Sequence, residues 1–289
     1  MKNFTINDLE RFTGVRAHTI RIWERRYDIL QPERTSGNFR LYSVGQLKKI
    51  LDISLLNKNG YKISQLANTT DEVVANTITS LSKDQNKWQK AINELTVCMY
   101  TPDPGYFEEV LDQLFLSWPI DVMMEKIIFP FLTTTSLLWI GNKLYEEHLV
   151  VTSIRKKLFL AIETLPDTSK SSETIVLFLP DNKQLDLGLL YCNYYLKRRG
   201  MHVTYFGIDF SLQHLQQYLA LHSPKYIFTY LPHTTPFPTN QLLSSMQEHA
   251  PNAKLIIGNY APGRPPVEKD NFIQMHYCAA LEFLDAQKN

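Results

Sequence analysis

Between positions 16 and 25, Arg16, His18, Thr19, Arg21 and Arg25 bring three guanidinium groups, an imidazole and a hydroxyl into less than three turns of a helix. A guanidinium presents its donors in a rigid plane and binds phosphate oxygens in pairs, and beside a groove it also reaches base edges. Arg34 and Arg40 flank Ser36-Gly37-Asn38 and can hold phosphate oxygens without reading bases, while Asn38 and Tyr42 either join them or serve only the hairpin turn and core. No other chemistry stands out. There is no nucleophile with a base and an orienting group, no Walker loop and no Gly-rich dinucleotide fingerprint. Cys98, Cys192 and Cys278 lie far apart without CxxC or Cys/His spacing, which argues against a disulfide framework or a zinc site.

The net charge of +1 conceals an asymmetry. Residues 1–62 hold 12 Lys/Arg against 6 Asp/Glu, while residues 63–289 hold 18 against 23. A basic head on an acidic body suggests that the head meets a polyanion, the plain alternative being an ordinary solvated face, and the motifs decide between them in favour of double-stranded DNA. At 289 residues and 44% hydrophobic content the chain can bury two or three cores. Its longest apolar runs, such as Ile127 to Leu132 and Ile175 to Pro180, fall short of a membrane span, and the first residues show no signal peptide. A cytoplasmic protein without a membrane partner is expected.

The arginines need positioning elements. Thr5 with Asp8 three places on predicts a capped short helix, and Thr13-Gly14-Val15 predicts the turn that ends it. A second helix follows in which Ile20 and Trp23 face a core and the arginines face outward. Two short helices joined by a Gly turn predict a helix-turn-helix whose second helix enters the major groove. Pro32 to Tyr42 reads as a β-hairpin wing. Ser43 to Gln46 is a capping box for a third helix carrying Leu47, Ile50, Leu51, Leu55 and Leu56, ended by Asn59-Gly60, and Tyr61 to Ala67 begins a further short helix. Trp23, Tyr27, Leu47 and Leu51 are read as core.

These residues resemble the MerR superfamily: Ile6 to Leu9 through Thr13-Gly14-Val15, His18 to Tyr27, then Arg40-Leu41-Tyr42-Ser43 and Leu47. The resemblance spans about 65 residues in order. One small head reads only a short half-site and twofold proteins match twofold operators, so a homodimer or higher oligomer on an inverted-repeat site is expected, with RNA polymerase or another regulator as further partners. One departure is Arg16, where the family usually has a small polar cap for the recognition helix.

Beyond residue 75, helical patterns run over Val73 to Leu81, Trp88 to Tyr100, Tyr106 to Trp118, Ile120 to Ile140 and His148 to Leu165. After a polar stretch at Asp167 to Glu173 a βα alternation begins. Strands are expected at Thr174 to Leu179, Val203 to Phe206, Tyr226 to Tyr230 and Lys254 to Ile257; helices at Leu185 to Arg199, Phe210 to His222 and Thr239 to His249; Phe272 to Asp285 closes the chain. The fold class is therefore multidomain α and α/β: a winged helix-turn-helix over 1–75, a helical bundle over 76–168, and a Rossmann-like, doubly wound parallel sheet over 169–289.

The bundle and α/β pair is similar to the cobalamin-binding module of light-sensing MerR-type repressors and of methionine synthase. There a Trp, nine spacer residues and Glu-His mark the cap over the cofactor; here Trp139 leads to Glu147-His148 with seven residues between. In the α/β half the family carries Asp/Glu-x-His-x-x-Gly, whose His ligates cobalt from below. Here Gly188 matches, but Lys183 stands at the acidic position and Leu185 at the histidine. A leucine has no lone pair for a metal. The family's Ser-x-Leu is Thr229-Tyr230-Leu231 and its Gly-Gly is Gly258-Asn259. The resemblance implies a pocket of Trp139, Glu147, His148, Leu185, Gly188, Thr229 and Gly258, a place for cobalamin without a lower histidine, and no resident metal. The plain reading of His148 is a cap or surface residue. The rival readings are a cobalamin-binding photoreceptor-like repressor, a corrinoid methyl-transfer protein, which fails at Leu185, and an antagonist that captures another regulator. A non-enzymatic DNA-binding regulator is the reading the residues favour.

Overall fold

A computed structural model describes residues 3–101, 103–139, 145–166, 174–180, 186–231, 239–259, 267–269 and 271–286. It divides into two units, Met1–Ser153 and Ile154–Asn289. The first contains α1 (Ile6–Thr13), α2 (Ala17–Tyr27), the hairpin β1 (Glu33–Arg34) and β2 (Arg40–Leu41), α3 (Val44–Lys58), α4 (Ile63–Leu66), α5 (Asp71–Thr79), α6 (Asp84–Cys98), α7 (Pro104–Ser117), α8 (Ile120–Val122), a π-helical segment (Met123–Ile128) and α9 (Phe129–Trp139). Helix α10 (Tyr145–Glu163) begins in the first unit and ends in the second.

The local starts follow from capping. Thr5 accepts from the Asp8 amide while the Asp8 carboxylate accepts from the Thr5 amide, and Ser43 and Gln46 repeat the arrangement at α3. Thr70 caps α5, and Asp103 caps α7 with Pro104 at its first turn. The 120–140 run is helical, but it widens into a π turn that the 3.6-residue period does not signal. There the Phe129 amide donates to the Met124 carbonyl, five residues back, immediately before Pro130, which has no amide to continue an α-helical ladder.

The head and the start of the bundle share a core. Helix α6 packs along α3, the Asn93 side-chain amide donates to the Leu51 carbonyl, and Asn59 and Asn86 exchange two amide hydrogen bonds of 2.9 and 2.8 Å. Phe4, Phe12 and Tyr100 form an edge-to-face aromatic trio that ties the N-terminal segment to the end of α6.

The second unit holds β3 (Thr174–Phe178), α11 (Asp186–Arg198), β4 (His202–Gly207), α12 (Leu212–Leu219), β5 (Tyr226–Leu231), α13 (Thr239–His249), β6 (Lys254–Asn259), β7 (Val267–Lys269), β8 (Phe272–His276) and α14 (Tyr277–Ala286). The strand order is β4-β3-β5-β6-β8-β7. The first five strands are parallel, and β7 runs antiparallel to β8 at the edge. The closing segment divides into β8 and α14, because Phe272, Ile273 and Met275 extend the sheet before the chain turns into a helix. The order in which strands are added changes side between β3 and β5, so the carboxyl ends of these two parallel strands border the crevice where ligands of such sheets sit. No helix among the described residues is long and apolar enough to cross a membrane.

Leu95 is fully buried on α6. Leu95→Ala should destabilise the protein by about 2–5 kcal/mol, and amide exchange should accelerate in α3 and α6 together. Loss of protection confined to α6 would mean that the two helices do not share one core.

Candidate nucleic-acid interface

The interface is built on the turn between α1 and α2. Gly14 ends α1 at φ +69°, a left-handed conformation that suits glycine, and its amide donates to the Glu10 carbonyl. Thr13 bridges the corner: its hydroxyl donates to the Leu9 carbonyl and accepts from the Val15 amide. From α3, the Lys58 ammonium donates to the Thr13 carbonyl at 2.8 Å. Arg16 occupies the N-cap of α2 and makes no side-chain cap there. The Glu10 carboxylate takes over, accepting the free Ala17 amide at 3.0 Å from the preceding helix. The missing cap is thus supplied from seven residues upstream, and the Arg16 side chain stays exposed.

Ile20 and Trp23 bury one face of α2, while Arg16, His18, Arg21 and Arg25 are exposed and Thr19 is half-buried. The wing follows expectation in outline. Glu33 pairs with Leu41 and Arg34 with Arg40, with Asn38 in the left-handed turn at φ 63°. Arg34 donates through Nη1 to the Asn38 side-chain oxygen, so Asn38 serves to hold Arg34. Both remain exposed.

Of the two alternatives for Tyr42 the structure shows the core one, and Arg40 is half-buried and partly engaged. The Arg40 Nε pairs with Glu24 at 2.9 Å, and Tyr42 is 0% exposed, its hydroxyl donating to the other Glu24 oxygen at 2.9 Å. Tyr42 is a core residue that the structure removes from the contact set, because its backbone pairs with Phe4 and its only polar side-chain atom is spent on Glu24. Burial and Glu24 drive the Tyr42 phenol well above its usual range, and the Glu24 hydrogen bond raises the Arg40 guanidinium further, so neither titrates near neutrality. Sequence reasoning missed Glu24, Glu10 and Lys58. The available signal for Glu24 was a lone carboxylate among the arginines of α2. It also missed Phe39, an exposed aromatic at the wing tip whose ring lies where a Cβ on Gly37 would come within 3.1 Å.

The expected ligand pocket divides between the units. Trp139 is the last residue of α9, Glu147 is half-buried and His148 exposed in the first turn of α10. In the second unit Gly188 lies buried in α11, its carbonyl accepting the Tyr277 hydroxyl at 2.7 Å. Thr229 and Gly258 lie on the adjacent strands β5 and β6, where Thr229 pairs with Ile257 and Tyr230 with Gly258. The Thr229 hydroxyl is fully buried and has no hydrogen-bond partner among the described residues. Leu185 and Lys183 lie outside the described residues. Directly after them Asp186 is buried and paired with Arg155 from α10, and the Tyr205 phenol is pushed up to about 12, chiefly by burial and then by Asp186.

A basic helix-turn-helix with a wing, followed by helices and a parallel α/β sheet, defines a class of DNA-reading regulators, and residues 4–72 match the MerR HTH family of regulatory proteins. The N-terminal part of the chain is a MerR-type helix-turn-helix domain. The chain is 24% identical over 214 residues to the HTH-type transcriptional repressor CarH of Myxococcus xanthus, covering 71% of each chain. It is 25% identical over 213 residues to the repressor CarA of the same organism, covering 73% of this chain and 70% of that one. In fold it is similar to the monomethylamine corrinoid protein of Methanosarcina barkeri, with a TM-score of 0.53 at 12% identity, over 69% of this chain and 99% of that one.

Glu24→Ala should cost about 1–3 kcal/mol, because it leaves the buried Tyr42 hydroxyl without an acceptor. Tyr42→Phe should recover part of that loss in the Glu24→Ala background. A denaturation double-mutant cycle with a coupling near zero would dismiss the pairing as structurally idle.

Proposed function

We propose that this protein is a transcriptional regulator whose residues 1–75 bind DNA, with residues 76–168 and 169–289 as a cap-like bundle and an α/β module that senses a ligand or assembles the oligomer. The observation that carries the reading is the two-sided character of α2: Ile20 and Trp23 buried on one face, with Arg16, His18, Arg21 and Arg25 exposed beside the wing's Arg34. Such a helix fits the major groove, with the wing arginine on the flanking backbone. Thr19 and Asn38 complete the contact set, Arg40 contributes only the guanidinium nitrogens that Glu24 leaves, and Phe39 adds an apolar wing-tip contact. Resemblance to proteins named transcriptional repressors supports regulation as the outcome of binding. One small head reads a short half-site, so a homodimer or higher oligomer on an inverted repeat is part of the proposal, in the cytoplasm and with RNA polymerase or another regulator as further contacts. No catalytic role is assigned.

Cobalamin fits this chain only in part. The buried, unpartnered Thr229 hydroxyl near the β5 carboxyl end is a polar group that a nucleotide tail could satisfy, and Gly258 lies on the adjacent strand opposite Tyr230. Ligation from below does not fit, since Leu185 offers no donor atom. If the corrinoid enters, it would bring its own cobalt chemistry, and the α/β unit's part would be Gly188, Thr229 and Gly258.

DNA binding should fall steeply with salt, log K declining by about 0.9 per phosphate contact for each unit of log salt. Arg16→Ala or Arg25→Ala should flatten that slope by about one contact each, whereas Arg21→Ala should also change sequence preference. A genome-wide binding selection followed by salt titration checks this, and salt-independent binding, or binding of a monomer to an asymmetric half-site, would count decisively against the reading. Separately, protein incubated in the dark with methyl-, adenosyl- or hydroxocobalamin and freed of excess ligand should show no spectrum of histidine-ligated cobalt. Its appearance in stoichiometric amount, and its disappearance in His148→Ala, would show that the cap histidine has taken the ligand's place.

A further inference from the structure

A cavity of about 230 Å³ opens in the N-terminal unit between α3, α5, α6 and α7, and none of the side chains assigned to DNA or to the corrinoid pocket lines it. Its floor is Leu51, Ile78, Asn93 and Cys98, all buried. The polar atoms there are already occupied. Asn93 donates to the Leu51 carbonyl and accepts from Gln89, and the Cys98 thiol donates to the Leu95 carbonyl. Burial pushes that thiol up to about 12, so it is neutral and poorly nucleophilic. A floor of this kind accepts hydrocarbon.

The rim is charged but unequal. Lys48 leaves 58% of its side chain in solvent while Asp52, its ion-pair partner at 3.3 Å, leaves 22%. Lys90 on α6 donates to the Thr79 hydroxyl at 3.3 Å. Burial lifts the Asp52 carboxyl above its usual range; Lys48 on its own helix and Lys90 on α6 act against that lift, and Asp71 on α5 adds to it. A desolvated carboxylate gains more from a further cation than two hydrated lysines gain from an anion. Glu94, exposed on the same rim, adds a second negative charge.

We propose that this cavity binds a small amphipathic cation, with a compact aromatic or alicyclic body over Leu51 and Ile78 and its ammonium group at Asp52. An apolar cavity of roughly 150 Å³ holds benzene, so the space here suits one ring with a short arm. The ligand would rest against α3, the helix whose Lys58 also holds the helix-turn-helix corner.

The test uses the full-length chain without DNA, so that its outcome is independent of the regulator reading. The probes are 2-phenylethylamine, the neutral 2-phenylethanol and the anionic phenylacetate, followed by titration calorimetry at millimolar concentrations. The amine should bind once per chain and about tenfold or more tighter than either analogue. Asp52→Asn should remove that preference, and Ala75→Phe, at the exposed mouth on α5, should abolish binding. Thr79→Phe is a second mouth blocker in case the first fails to fold, with circular-dichroism melting as the check. No amine binding, equal binding of phenylacetate, or an amine affinity unchanged in Asp52→Asn would each overturn the proposal.

Discussion

The DNA-facing architecture depends on one carboxylate. Glu24 lies on the recognition helix, 11% exposed at its side chain, and its two oxygens take the Arg40 guanidinium and the Tyr42 hydroxyl from the wing strand and the residue after it. The loop between helix and wing is anchored by buried Ile29 and Leu30 and by Gln46, which donates to the Gln31 carbonyl, and Tyr42 also pairs with Phe4 through the backbone. The Glu24 contact is the direct side-chain link from the helix to the wing. A partly buried, charge-assisted pair of this kind is short and directional. Its removal would free one arginine and at the same time leave a buried phenol without an acceptor.

Around that contact the corner of the helix-turn-helix is held by long-range substitutions for ordinary local devices. Glu10 caps α2 in place of a Ser or Thr at position 16, and Lys58 reaches the Thr13 carbonyl from the far end of α3. The exposed guanidinium at position 16 and the satisfied helix start therefore coexist. Helix α3 is the common support. It carries the Lys58 tether, closes the core below α1 and receives α6 on another face.

Much of this was legible in the chain wherever the interaction is local. The capping boxes at Thr5 and Ser43 are three-residue patterns, the α2 stripe of Ile20 and Trp23 follows helical spacing, and the apolar runs from Thr174 onward mark a parallel α/β sheet. What escaped depends on partners far away in sequence or on geometry without a period. Glu24 meets residues 16 and 18 positions on, Lys58 acts across 45, and the π turn before Pro130 looks like uninterrupted helix. For Tyr42 the residue type leaves phosphate contact and a core role both open, and the choice rests on its bridge to Phe4 and its bond to Glu24, which sequence proximity does not reveal. The β7–β8 edge escaped because a three-residue strand is too short to show alternation.

That edge has a consequence for colloidal behaviour. A sheet strand with open amides and carbonyls is a template for another chain, and natural proteins blunt it with short, charged strands. On one side β7 does this with Val267-Glu268-Lys269, its Glu268 carboxylate lying 4.0 Å from Lys254. On the other side β4 ends the described sheet over six residues, His202 to Gly207, with only the final glycine buried. Among the described residues the two edges thus differ in kind: β7 is three residues long and charged, whereas β4 is twice as long and carries no acidic residue or lysine to discourage a pairing strand.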